Sequence, residues 1–150
     1  RDISDKDVRV IETKSIPQAV TALTAFNSYA DIDENIEAMT ESLAEVKSGA
    51  ITYAVRDTEI DDRAISQGDF LGLLEGEIKE VGKELYPLLN VLIAGMVDDE
   101  SSSVTIFYGE DVDEEEFEEH IAKLEDEYPD VDIMSLPGLQ PLYYFIIAVE

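Results

Sequence analysis

The feature that most constrains the fold of this chain is the regular alternation between amphipathic helix patterns and short apolar runs. Apolar, β-branched runs predict strands. These strands are 7–12, 50–57, 102–109, 131–134 and 143–149. Apolar residues at helical spacing predict four helices, over 15–26, 31–46, 83–97 and 113–128. This alternation favours an α/β fold with a mixed, partly parallel sheet and helices on its faces.

The starts of three helices carry the capping-box pattern, in which a Ser or Asp side chain accepts from the helix backbone and a Glu or Gln three residues on reaches back. The pairs are Ser15 with Gln18, Asp31 with Glu34, and Asp113 with Glu116. Gly49 stands where the second helix is expected to end.

Glycines interrupt the segment between the second and third helices. Glu75-Gly76 separates two short apolar runs within residues 58–82. This pattern predicts a small antiparallel β-hairpin inserted into the larger α/β arrangement.

The composition limits the class of partner. The chain has 36 acidic and 10 basic residues, for a net charge of −26. Such a surface repels phosphate backbones and anionic lipids, so nucleic acid and bare membrane are poor partners. Two explanations of the charge stay open, a partner with a basic face and a salt-adapted or acid-biased proteome.

Other features of the composition bound the architecture. At 150 residues and 45% apolar content, one domain over residues 1–150 is expected. The absence of cysteine excludes disulfides and thiolate sites. The run 88–97 is too short to insert into a membrane. A cytoplasmic location is expected.

The segment 12–18, Glu-Thr-Lys-Ser-Ile-Pro-Gln, joins the first predicted strand to the first helix. Thr13, Lys14 and Ser15 at a helix N-terminus could cradle a phosphate or carboxylate. The Ser15 hydroxyl is equally suited to cap the helix, and this simpler interpretation is favoured.

Two further sets of residues follow predicted strands. Arg56 and Asp57 end the strand 50–57, at a position where α/β proteins usually bind ligands. A structural ion pair or a turn explains them equally well. Gln140 and Tyr143 lie in the loop 138–143, between the last two strands.

No catalytic residue and no metal site are predicted. The acidic run 109–120 lacks the ligand spacing of a calcium loop and is interpreted as a solvated helix start. His120, within that run, is expected on the surface with a raised tendency to hold its proton. Nucleotide-binding and hydrolase motifs are absent.

Several sequence blocks resemble one family in consecutive order. The most specific are "EAMTE" (37–41), "TYAVRDT" (52–58) and "TIFYGED" (105–111). They are similar to the C-terminal region of the large, ATP-binding subunit of bacterial fatty acid kinase, which is related to dihydroxyacetone (glycerone) kinase. The resemblance extends over essentially the whole chain.

The resemblance implies a multidomain parent kinase whose N-terminal domain holds ATP with Mg. No cofactor is then expected in this chain. A separate DegV-like subunit carries the fatty acid, and the kinase converts its carboxylate to an acyl phosphate for phospholipid synthesis. The resemblance also implies a DegV-like fold for this C-terminal part. Its implied role is to dock the fatty-acid-carrying subunit rather than to catalyse the transfer.

Two features depart from the family pattern. An upstream half with a Gly-Gly-Gln motif is absent, and the usual Gly-Gly-Gln-Pro reads Gly138-Leu139-Gln140-Pro141 here. Residues that match the family and are expected to contact a ligand or partner are Thr13, Lys14, Ser15, Arg56, Asp57, Gln140 and Tyr143. Alternatives that stay open are a domain that binds a small anion or acts as an enzyme on its own, and a structural domain that forms a homodimer.

Overall fold

The structure, a computed structural model, describes residues 6–60 and 63–150. The chain divides into two compact units, Arg1–Val46 and Lys47–Glu150. Across the described residues, no helix combines the length and the apolar character needed to cross a bilayer. The prediction of one domain over residues 1–150 stays a prediction.

The first unit contains two helices, α1 (Ile16–Thr24) and α2 (Ile32–Ser42). Both begin where the capping patterns predict. Ser15 Oγ accepts from the Gln18 amide at 3.2 Å, and Asp31 forms a reciprocal capping box with Glu34. These bonds satisfy backbone donors that have no partner inside a helix.

A buried asparagine organises the connection between these helices. Asn35 Oδ1 accepts from the Asn27 amide at 2.7 Å, and Asn35 Nδ2 donates to the Asn27 and Asp31 carbonyls at 2.9 Å. The side chain thereby replaces backbone partners that the turn cannot supply.

Two boundaries predicted for this part of the chain are wrong. Residues 7–12 form no strand, because a strand needs a neighbouring backbone to pair with and neither described sheet includes this segment. Helix α2 ends at Ser42, so Gly49 is not its C-cap and lies in a strand instead.

The second unit holds eight strands and two helices, which agree in order with the predicted pattern. The elements are β1 (Lys47–Tyr53), β2 (Thr58–Ile60), β3 (Arg63–Ile65), β4 (Phe70–Leu74), β5 (Glu77–Gly82), α3 (Leu85–Met96), β6 (Ser103–Tyr108), α4 (Glu114–Glu127), β7 (Asp132–Pro137) and β8 (Phe145–Val149).

Six of these strands form one mixed sheet, in the order β5-β4-β1-β8-β6-β7. The β6–β7 pair is parallel and the other neighbours are antiparallel. Strands β2 and β3 form a separate two-stranded sheet. The predicted mixed, partly parallel sheet is confirmed.

The predicted hairpin is confirmed as β4–β5. Its turn residues Glu75 and Gly76 have φ angles of 49° and 81°, as a type I′ turn requires. This hairpin extends the main sheet, however, and the smaller β2–β3 hairpin is the one that stands apart from it.

The core of the second unit lies on one face of the six-stranded sheet. Ile51, Ile106 and Ile147 share a face, because Ile51 is paired with Phe145 and Ile106 with Ile147. Both α3 and α4 contribute side chains to the cluster that buries this face, so the two helices pack side by side. The fully buried members from the helices are Leu89, Leu92, Ile93, Phe117 and Leu124.

Glycines in the sheet allow α3 to approach closely. A Cβ atom on Gly49 would lie 2.7 Å from Met96 Sδ, and one on Gly72 would lie 3.1 Å from Leu92 Cδ2. Both distances are shorter than ordinary van der Waals contact. The two glycines are therefore required by helix packing.

Alanine at Gly49 is expected to lower the free energy of unfolding by about 1–3 kcal/mol, because the added methyl overlaps Met96. The same change at Gly95, which has no neighbour within 4 Å, is expected to raise it by up to about 1 kcal/mol through helix propensity. Urea denaturation measures both changes. Equal effects of the two substitutions would contradict the close-packing account.

His120 lies on the inner side of α4, and the prediction of a surface histidine that holds its proton is wrong. Its side chain is 9% exposed, its Nε2 lies 2.7 Å from Asn90 Oδ1, and the Tyr86 ring packs 4.6 Å from it. Burial lowers the pKa of His120 below its usual 6.5, and the positive charge of Lys123 lowers it further. Its three-residue spacing from the buried Phe117 explains the burial better than its glutamate neighbours do.

This lowered pKa makes the fold sensitive to acid. Below pH 6.5 the unfolded chain takes up a proton that folded His120 resists, so stability is lost as the pH falls toward the folded pKa and is fully present above pH 6.5. His120→Gln keeps a donor for Asn90 and removes this titration. Thermal unfolding between pH 7 and pH 5 is expected to fall more steeply for the native chain than for the variant. Parallel pH profiles would rule this out.

Candidate functional site

The predicted site residues of the second unit collect at one edge of the six-stranded sheet. Strands β1, β6 and β7 end at this edge and β8 begins there, as the register shows. Arg56 and Asp57 follow β1, whereas Gln140 and Tyr143 lie in the connection from β7 to β8. The structure thus brings these four positions to the same edge, as expected for residues that follow strands of an α/β sheet.

The loop 138–144 is held to this edge by several hydrogen bonds. Gln140 Nε2 donates to the Phe107 carbonyl at 3.0 Å, and Thr52 Oγ1 donates to the Leu142 carbonyl at 2.6 Å. The Glu110 amide donates to the Gln140 carbonyl at 3.3 Å. The amide of Gln140 therefore fixes the shape of the loop.

Two leucines in this loop were missed by sequence reasoning. Leu139 and Leu142 have φ angles of 53° and 71°, and their side chains are 71% and 58% exposed. Such angles cost a bulky residue about 1–3 kcal/mol each. The available signal was a pair of leucines flanking Gln-Pro in a turn, where polar residues are usual.

Arg56 and Asp57 have different surroundings. Asp57 Oδ1 accepts from the Gln67 amide at 2.7 Å, which supports the interpretation of this residue as a turn former. Arg56 is exposed, and its guanidinium makes no ion pair with a described residue.

Thr13, Lys14 and Ser15 belong to the first unit. Ser15 caps α1, while Gln18 Oε1 accepts from the Lys14 backbone amide at 2.9 Å. Both Thr13 and the Lys14 side chain are exposed. An anion site at this helix start, and its convergence with Arg56, stay predictions.

Comparison with known proteins supplies the decisive observation. A family model named FakA-like, which describes the C-terminal region of the large component of fatty acid kinase and of proteins like it, matches residues 1–150. This chain belongs to the FakA-like C-terminal family of fatty acid kinases.

Individual relatives agree with this assignment. Protein YloV of Bacillus subtilis (strain 168) is 37% identical over 148 residues, which make up 99% of this chain and 27% of YloV. An uncharacterized protein of Staphylococcus haemolyticus, SH1689, is 36% identical over 146 residues, or 97% of this chain and 26% of that protein. The chain therefore spans about a quarter of the length of these relatives.

A second concave feature of this FakA-like module lies between the β2–β3 hairpin and β5. The cavity has a volume of about 630 Å³. Its lining residues are Ile60, Arg63, Ile65, Gly76, Glu77, Ile78, Lys79 and Val81. Arg63 lies 3.7 Å from Glu80, and Lys79 pairs with Glu77, so carboxylates already balance both cations. This balance argues against an anion site there.

Among the described residues, no three histidine, aspartate or glutamate side chains cluster closely enough to hold a metal ion. In the FakA-like module, the sheet edge with the loop 138–144 is therefore the better-defined candidate site.

The shape of this edge depends on Gly109. A Cβ at this position would overlap the Tyr143 carbonyl oxygen and would lie 2.8 Å from that of Gln140. Gly109→Ala is expected to push the loop away and to lower the free energy of unfolding by about 1–3 kcal/mol. Urea denaturation measures the loss, and faster hydrogen exchange at the Glu110 amide would locate it. Unchanged stability and exchange would contradict this account of the loop.

Proposed function

We propose that this chain is the module of a fatty acid kinase that docks the fatty-acid-carrying subunit. Docking presents the fatty acid carboxylate to an ATP- and Mg-binding domain elsewhere in the kinase, where it is converted to an acyl phosphate. The observation that carries the proposal is the family match over residues 1–150. The docking role, the acyl phosphate product and the DegV-like partner come from the family resemblance.

The chemistry of the described residues supports a binding role over a catalytic one. At the candidate edge, Gln140 and Asp57 both spend their polar groups on backbone partners, and Thr52 does the same. A general acid or base needs a polar group left free to reach its substrate. The edge instead offers exposed apolar side chains and one exposed arginine, which suit contact with a protein.

The net charge supports a partner of opposite sign. With a charge of −26, the chain attracts a basic surface over distances near the Debye length and speeds its encounter. The partner face that meets this module is therefore expected to be rich in Lys and Arg.

Isothermal titration tests this proposal directly. The 150-residue chain is titrated with the fatty-acid-loaded carrier subunit of the same organism, and in parallel with ATP–Mg. Saturable binding to the carrier and none to the nucleotide is expected. Nucleotide binding without carrier binding would overturn the proposal.

Ionic strength provides the matching control. Affinity for the carrier is expected to fall as ionic strength rises from about 0.01 M to about 1 M, since the Debye length shrinks from about 30 Å to about 3 Å. An affinity independent of salt would show that the acidic surface does not take part in docking.

A further inference from the structure

We infer that the partner docks on an apolar rim at the β7 side of the sheet edge, with the two strained leucines as its central contacts. This inference rests on the proposed docking function and adds the surface that carries it. The apolar rim consists of Met134, Leu136, Leu139, Leu142 and Tyr143, all exposed by 40% or more.

The rim is continuous along the chain and lies on one side of the sheet. Met134 and Leu136 alternate along β7, so their side chains point to the same face. Leu136 is paired with Phe107, and Phe107 points away from the core because its neighbour Ile106 points into it. Thr52, which holds the Leu142 carbonyl, points to that same outer face next to buried Ile51.

Edge strands usually avoid exposed apolar side chains, because these invite unwanted pairing. Strand β7 is an edge of the six-stranded sheet, yet Met134 is 50% and Leu136 is 43% exposed. Apolar side chains that cluster on such an edge mark an interaction surface.

Backbone strain gives an independent reason to single out the loop. Asparagine or glycine would adopt the φ angles of Leu139 and Leu142 at lower cost. Leucine at both positions adds strain and also exposes apolar surface, so neither folding nor solubility favours it. Strain of this kind persists where the residue serves a contact outside the fold.

Charge selects the occupant of the rim. Residues 103–150, which contain the whole rim, hold one lysine, Lys123, and 14 acidic residues. Apolar side chains surrounded by carboxylates fit a partner protein whose own apolar patch is bordered by Lys or Arg. A second copy of this chain would bring two surfaces of the same negative sign together, which disfavours self-association there.

The decisive variant is Leu139→Asn with Leu142→Asn, made in the full-length kinase subunit. Asparagine tolerates positive φ, so thermal stability is expected to hold or rise while affinity for the carrier subunit falls at least about tenfold. Val91→Asn is the matched control, since Val91 is 53% exposed on α3, outside the rim. It is expected to leave affinity unchanged.

A second variant guards against misfolding of the first. Met134→Gln with Leu136→Gln changes the strand part of the rim and leaves the loop intact, and it is expected to weaken binding in the same direction. If the native subunit binds the carrier and both double variants bind it equally well, the rim is not the docking surface and the docking function still stands. If the native subunit does not bind the carrier at all, the proposed function itself is wrong.

Sedimentation velocity distinguishes the remaining occupant. A native subunit that self-associates, together with rim variants that do not, would assign the rim to a second copy and overturn the choice of partner. An unchanged oligomeric state across native and variant proteins is the expected result.

Discussion

The close packing of α3 on the strand glycines is the constraint on which the second unit depends. With no side chain at Gly49 or Gly72, Met96 and Leu92 reach the backbone of β1 and β4. Helix α4 then packs beside α3 and completes the cover over the same face of the sheet. Because both helices are committed to that face, the apolar rim points away from them.

Much of the fold could be predicted because local signals and packing agree. Capped helix starts at Ser15, Asp31 and Asp113 and the turn at Glu75-Gly76 are encoded by neighbouring residues alone, and all are confirmed. The strand predicted over 7–12 failed because pairing depends on a partner that a local pattern does not contain. His120 failed for a related reason, since its neighbours in sequence are acidic while its neighbours in space are aromatic.

The candidate site was only half visible in the sequence. Gln140 and Tyr143 were placed correctly in a loop at the end of the sheet, and strand order explains why Arg56 and Asp57 share that edge. The positive φ angles of Leu139 and Leu142 could not be predicted, because leucine is disfavoured in that conformation. They follow from the hydrogen bonds of Gln140 and Thr52, which join residues distant in sequence.

The position of β8 has a consequence for how this molecule folds. Strand β8 follows all the other described strands along the chain, yet it inserts between β1 and β6, and every one of its residues is buried. Until it arrives, β5-β4-β1 and β6-β7 are separate half-sheets with open edges. The β1–β8 contacts close a loop of about a hundred residues, and contacts of such long range slow folding. A chain emerging from the ribosome therefore exposes both half-sheets until β8 has been made, and this is the period in which it is most prone to aggregate.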